Sequence, residues 1–193
     1  MNNLADEILM QHYIQGDMNA FNVLYMRHKN SLYRYFTRQC ASVALAEELF
    51  QQVWVKLINA RHRYKVSSKF STYLYHIAHN ELVDYYRRQS TENKVMQSSS
   101  AQLIDHDDTA EQDLLTPDDV LHQQHKVQQL KQCLEQLPRD QKEAFLLKHE
   151  ASLTLSEIGH LLSEPNEGIK SRIRYALSKL KHCLSSKIGG NDE

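Results

Sequence analysis

The sequence predicts an all-α protein: two small helical domains, a bundle and a helix-turn-helix, joined by a flexible acidic linker. Three observations predict it. The 193 residues include only 5 Gly and 3 Pro, and few breakers among many straight-chain residues favour helix. Apolar residues recur at helical spacing through residues 17–88 and 117–184, and no strand pattern appears in 1–90. Between these blocks, Ser90–Asp119 is Ser-, Asp- and Gln-rich with no stripe.

The first domain, residues 1–89, reads as three or four helices. In 17–38, Phe21, Leu24, Tyr25, His28, Leu32, Tyr35 and Phe36 keep the i, i+3, i+4, i+7 pattern. In 43–60, Leu45, Leu49, Val53 and Leu57 form one stripe, and Phe50, Trp54 and Ile58 a second beside it. A helix apolar on two sides is sandwiched or touches a partner. In 69–88, Leu74, Ile77, Ala78, Leu82 and Tyr85 form an inner face, with basic and aromatic residues around the rest. The linker, 90–117, cannot bury enough apolar surface to offset its ordering entropy. The second domain, 118–193, begins with Val120, Val127, Leu130 and Leu134 in helical spacing and stops at Leu137-Pro138. A short helix follows, then "LTLSEIGHLL" with Thr154 or Ser156 as N-cap.

Net charge is −1, but its distribution is uneven. Residues 1–90 hold 11 Lys+Arg against 7 Asp+Glu, 91–125 hold 1 against 8, and 126–193 hold 11 against 9. Two mildly basic blocks flank an acidic one. No run of eighteen apolar residues exists to span a membrane, and the acidic N-terminus does not suit a signal peptide. Cys40, Cys133 and Cys183 are far apart and odd in number, so they are expected to be unpaired in a reducing compartment.

After the break at Ser163-Glu164-Pro165-Asn166, positive charge gathers. No acid occurs from Gly168 to Gly190. At 100° per residue, Ile169, Ile173, Ala176, Leu177 and Leu180 share one buried face. Ser171, Arg174, Tyr175 and Ser178 lie opposite, with Lys170 and Arg172 on the shoulders. Pro165 or Asn166 starts this helix, and Glu167 suits its first turn. A helix, a tight turn and a basic helix describe a helix-turn-helix whose second helix suits a major groove. Lys170 and Arg172 are placed to neutralise phosphates, and Arg174 to fork onto a guanine edge. The bland alternative is a solvated surface helix.

"LEQLPRDQKEAFLLKHEASLTLSEIGHLLSEPNEGIKSRIRYALSKL" resembles region 4 of bacterial sigma factors of the extracytoplasmic-function (ECF) group, in the sigma-70 superfamily. "AEELFQQVWVKL" (Ala46–Leu57) resembles their region 2.2 helix, and "FSTYLYHIAHNELVDYYRR" (Phe70–Arg88) is similar to region 2.3–2.4. The resemblance covers about 17–90 and 117–184. Departures are Gly159 for the usual Ala, Glu167 for Gly, Gly168 for Thr, Tyr175 and Leu177 for Arg, Glu48 for Asp, Gln52 for Glu, and Tyr73 for Trp.

The resemblance implies a non-enzymatic, cofactor-free subunit that lends promoter recognition to core RNA polymerase. Glu47, Glu48, Leu49, Gln51, Gln52, Val53 and Trp54 would contact the β′ clamp helices, though Leu49 and Val53 fit a plain core role equally. Region 4 would meet the β flap and read −35 duplex through Lys170, Ser171, Arg172, Arg174 and Tyr175. The −10 strand would be held by Tyr73, Tyr75, His76, His79, Asn80, Arg87 and Arg88, and by Arg63, Lys65, Ser68 and Lys69 of the preceding loop. Tyr85 reads as half-buried core and Tyr75 as available to DNA. The acidic linker is either a spacer or a polyanionic tether lying where RNA later passes. An anti-sigma factor is an expected partner, which would hold a cytoplasmic protein at the membrane.

Two rivals remain at this level. A helix-turn-helix regulator that is not a polymerase subunit leaves Phe70–Arg88 unexplained. A metal-dependent helical protein would use His76/His79 and His122/His125, each at i, i+3. No metal site, P-loop, Rossmann fingerprint or nucleophile–base motif is expected.

Overall fold

A computed structural model describes residues 3–65, 69–95 and 117–188, without the side chains of 92–95, 117–125 and 188. Four helices build the first half: α1 (Asp6–Ile14), α2 (Met18–Gln39), α3 (Val43–Asn59) and α4 (Phe70–Val95). Four build the second: α5 (Pro117–Glu135), α6 (Arg139–His149), α7 (Leu155–Leu162) and α8 (Asn166–Ile188). A short 3-10 turn, Arg61–Arg63, lies in the expected loop before α4. No strand occurs among the described residues.

Local chemistry sets the helix starts. Asp17 accepts the Asn19 and Ala20 N–H groups at 2.9 and 3.4 Å and caps α2. Ser42 caps α3 through the Leu45 N–H at 3.3 Å. The first N–H of α4 is met from outside its own segment: Glu7 Oε1 on α1 accepts from Phe70 at 3.0 Å. At α7, Thr154 and Glu157 cap each other reciprocally.

The first core gathers Leu24, Leu32, Phe36, Leu49, Val53, Leu57, Leu74, Ala78 and Leu82, all buried. Trp54 closes its edge against Phe21 and Tyr25, with ring centroids 5.9 and 4.9 Å apart. The second core gathers Leu134, Leu137, Ala144, Leu147, Ile158, Ile169, Ile173, Ala176 and Leu180.

Several expectations change. Leu177, expected on the buried face of α8, is 46% exposed, whereas Ile169, Ile173, Ala176 and Leu180 are buried where α8 packs with α5, α6 and α7. Helix α4 continues to Val95, past the expected start of the linker at 90. The remainder of that linker, 96–116, lies outside the described residues. Cys133 and Cys183 are not free: they form a disulfide across α5 and α8, their Cα atoms 5.9 Å apart. Fifty residues of sequence separation concealed a proximity that helix packing creates. Cys40 remains a thiol.

Candidate nucleic-acid interface

In the second half, α7 and α8 meet at a turn set by two backbone features. Ser163 adopts a left-handed φ of 56° and ends α7, and the Glu164 N–H returns to the Gly159 carbonyl at 2.9 Å. Gly159 lies directly under that turn. A Cβ there would sit 2.7 Å from the Glu164 carbonyl oxygen, which accounts for glycine where the family has alanine.

Helix α8 then presents Lys170, Arg174 and Tyr175 to solvent, with Ser171 half-buried beside them. The Arg174 guanidinium lies 5.2 Å from the Tyr175 ring centre. Arg172 is engaged differently from the expectation. Its Nη2 donates to Glu164 Oε1 at 2.7 Å and lies 3.7 Å from Asp140, so it ties α8 to the turn and to α6. Lys170 is 3.9 Å from Glu167, with both side chains largely exposed, a pairing of little energetic weight.

In the first half, α3 and α4 flank a depression of about 510 Å³. Arg63, Tyr73 and Asn80 of the expected −10 set line it, with Lys56, Asn59 and Asp84. Tyr73 is oriented by a 3.4 Å bond from its hydroxyl to the Ala60 carbonyl and by the Tyr64 ring, 5.2 Å away. Burial raises the Tyr73 phenol and pushes Tyr64 up to about 12, the latter helped by Glu7 and Asp6. Both remain neutral donors at physiological pH. Lys56 pairs with the buried Glu81 on the floor. His76 is exposed and lies 3.1 Å from Asn80 Nδ2. Arg87 and Arg88 bond to Asp84 at 3.1 and 3.3 Å. Lys65 is exposed, and Ser68 lies outside the described residues.

Tyr75 is placed differently from the expectation. It is fully buried edge-on to Tyr35, ring centroids 5.4 Å apart, and burial pushes its phenol up to about 12. The half-buried Tyr85 is the more exposed of the two. Two further −10 candidates are held by the second half of the chain. His79 Nδ1 lies 2.6 Å from Glu143 Oε1, and Lys69 Nζ lies 3.0 Å from Glu157 Oε1.

Those two contacts belong to a row of three glutamates clasping the halves together. Glu143 on α6 also accepts the buried Tyr35 hydroxyl at 3.1 Å. Glu150, at the end of α6, receives Arg34 at 2.8 Å and Arg38. Glu157 is the α7 capping residue. Burial raises its carboxyl, but the Thr154 N–H and hydroxyl, each 2.7 Å away, and the Lys69 ammonium outweigh that and hold it at about 2. Arg139 adds a cation over the Tyr86 ring at 4.2 Å. Sequence reasoning missed this clasp. Glu143 lies on α6, Glu150 just past its end and Glu157 on α7, so no single-helix spacing aligns them, and nothing local names their partners.

On α3, Glu47, Glu48 and Gln51 face outward, and Gln52 is bonded to Glu48 at 2.9 Å. Leu49 and Val53, which fit a core or a polymerase role equally, are core at 1% and 0% exposure, and Trp54, expected as a polymerase contact, is buried at 5%. The apolar residue on the outward face is Val55, one turn beyond Gln51. Of the possible metal ligands, His79 is engaged with Glu143 and the His122 and His125 side chains lie outside the described residues.

The comparisons agree with this two-part layout. The family Sigma-70 region 2 matches residues 24–92, and Sigma-70, region 4 matches 133–182, together more than half of the chain. The ECF RNA polymerase sigma factor SigW of Bacillus subtilis is 26% identical over 181 residues, covering 88% of this chain and 91% of SigW. The ECF RNA polymerase sigma-E factor of Escherichia coli K12 is 25% identical over 189 residues, covering 96% and 95%. Among solved structures, the sigma factor RpoE in complex with the anti-sigma factor NepR from Bartonella quintana superposes with a TM-score of 0.71 at 19% identity, covering 86% of this chain and 96% of that one. CnrH in complex with the cytosolic domain of CnrY gives 0.66 at 18%, covering 95% and 99%. Two family regions matched in order along one chain, each on its own helical unit, identify the protein as a member of the ECF group of the sigma-70 family of RNA polymerase sigma factors.

Proposed function

We propose that this chain joins core RNA polymerase and directs promoter-specific initiation, its region 4 reading −35 duplex while region 2 melts and holds −10 DNA. One observation carries the reading: two separate DNA-suited surfaces share a chain, the Arg63–Tyr73–Asn80 depression and the outward face of α8. A helix-turn-helix regulator needs only the second.

In this reading α8 enters the major groove, Arg174 reads a base edge, and Lys170 neutralises a phosphate. Arg172 acts indirectly, fixing the turn through Glu164. The depression takes an unstacked base against Tyr73, with Asn80 hydrogen-bonding its edge and Arg63 on the backbone. Glu47, Glu48, Gln51, Gln52 and Val55 face the β′ clamp helices, and region 4 faces the β flap. The chain performs no catalysis; it supplies recognition to a polymerase. The clasp makes the described arrangement a closed one. Polymerase opens it, freeing Lys69 and His79 for DNA. The relatives solved with NepR and CnrY support an anti-sigma factor as a further partner, one able to hold a cytoplasmic protein at the membrane.

Two modules gain avidity only when polymerase fixes both. The isolated protein is therefore expected to bind a −35/−10 duplex poorly, and core polymerase to restore binding and run-off transcription. Tight, specific footprinting by the free protein would sink the proposal and favour an independent regulator.

A further inference from the structure

The Cys133–Cys183 bond plays no part in promoter reading, yet its surroundings are those of a reactive site. Cys133 is 1% exposed, whereas Cys183 is half-buried. Both line a depression of about 520 Å³ whose rim carries Lys179, His182 and Lys187. Among the described residues, no carboxylate lines it. The bridge also lies off the DNA face. Cys183 follows the inward-facing Leu180 and stands nine residues past Arg174, about 14 Å along the axis at 1.5 Å per residue. It fastens α5, the helix that leads from the linker into region 4 and also touches α2, to the far end of α8.

We infer that Cys133 and Cys183 form a reversible thiol–disulfide pair that exchanges, through this depression, with an anionic low-molecular-weight thiol of the glutathione kind, and so sets whether α5 is covalently held to α8. In the reducing direction an incoming thiolate attacks the Cys183 sulfur, the one the depression reaches. The protein S–S bond breaks, and Cys133 leaves as a thiolate and takes a proton from water. A second thiolate attacks the small-molecule sulfur of the mixed disulfide and releases Cys183, which is protonated in turn. Two small thiols become one disulfide, and the protein gains two electrons and two protons; oxidation is the reverse. The ammonium groups favour a carboxylate-bearing thiol over a neutral one. After reduction α5 is held by non-covalent contacts alone, among them the buried Leu134, Leu130 packed against the core, and the Lys187–Gln132 bond.

The test equilibrates the full-length protein, without denaturant, in mixtures of glutathione and its disulfide. Acid quenching, alkylation and peptide mass mapping then locate each thiol. The folded protein is expected to pass between disulfide and dithiol. Cys133→Ser is expected to trap the adduct on Cys183, and Cys183→Ser to give none on Cys133. Per thiolate, glutathione is expected to reduce the parent protein about tenfold faster than mercaptoethanol at low salt. High salt, or Lys179→Gln with Lys187→Gln, removes that preference. Hydrogen exchange of α5 amides rises on reduction while α7 stays protected. A bridge that yields only when urea unfolds the protein overturns the inference, as does an adduct on Cys133 or equal rates for charged and neutral thiols. The rate comparison uses the parent protein alone, so misfolding of a variant cannot blur it.

Discussion

Replacing Glu143 by alanine removes the carboxylate oxygen that accepts from Tyr35 at 3.1 Å and lies 2.6 Å from His79. In the closed arrangement the Tyr35 hydroxyl then loses its carboxylate acceptor in a fully buried site, where the neutral Gln39 carboxamide is its remaining hydrogen-bond partner, and a bond to a charged group worth about 1.5–3 kcal/mol is lost. Parting the halves lets water satisfy Tyr35, so the loss falls on closure rather than on either domain. About 3 kcal/mol shifts the open-to-closed ratio roughly 150-fold. The Lys69–Glu157 contact, with an exposed lysine, contributes less, leaving Glu150 with its two arginines as the other anchor. Small-angle scattering is expected to give a larger radius of gyration for Glu143→Ala, with helical circular dichroism unchanged. A single-stranded −10 oligonucleotide is expected to bind more tightly without polymerase. Glu143→Gln, which retains an acceptor for Tyr35, falls between. An unchanged radius and unchanged oligonucleotide affinity in Glu143→Ala would refute the clasp.

Other outcomes follow from the same contacts. Arg174→Glu is expected to cut promoter-specific run-off transcription by about 1–3 kcal/mol, roughly 5- to 150-fold, with polymerase binding intact; loss of polymerase binding instead would show α8 misassigned. Because the Glu157 carboxyl is held at about 2, below its ordinary 4.5, its stabilisation is complete above the ordinary value and is lost as pH falls from about 4.5 to about 2. Thermal melts of the parent and Glu157→Gln should therefore converge across that window, and parallel curves would show that the charge adds nothing. Gly159→Ala places a methyl 2.7 Å from the Glu164 carbonyl and is expected to cost about 1–3 kcal/mol by urea unfolding. At Gly168→Ala the nearest atom is the end of the Glu164 side chain at 3.3 Å, so the cost should be far smaller.

The residue pattern alone placed every helix but α1, their order and the family. Amphipathic period and cap chemistry are local: Thr154 with Glu157, and the Ile169–Ile173–Leu180 stripe, needed only neighbours within a turn or two. It also marked the outward face of α8 and three residues of the α3–α4 depression, Arg63, Tyr73 and Asn80, because charge and aromatic spacing along one helix survive folding. Tertiary structure decided that both apolar stripes of α3 turn inward, Leu49, Val53, Leu57 and Trp54 buried and Phe50 and Ile58 packed partly buried beside them. Leu49 and Val53 fit core and docking equally and Trp54 looks like a docking residue until the bundle closes over them, and Tyr75 looks available until Tyr35 packs on it. Partners far along the chain were equally illegible. Tyr35 meets Glu143 across 108 residues and Cys133 meets Cys183 across 50, because the first pairing depends on how the two halves dock and the second on how α5 packs along α8, and no residue pattern within a few helical turns encodes a packing angle.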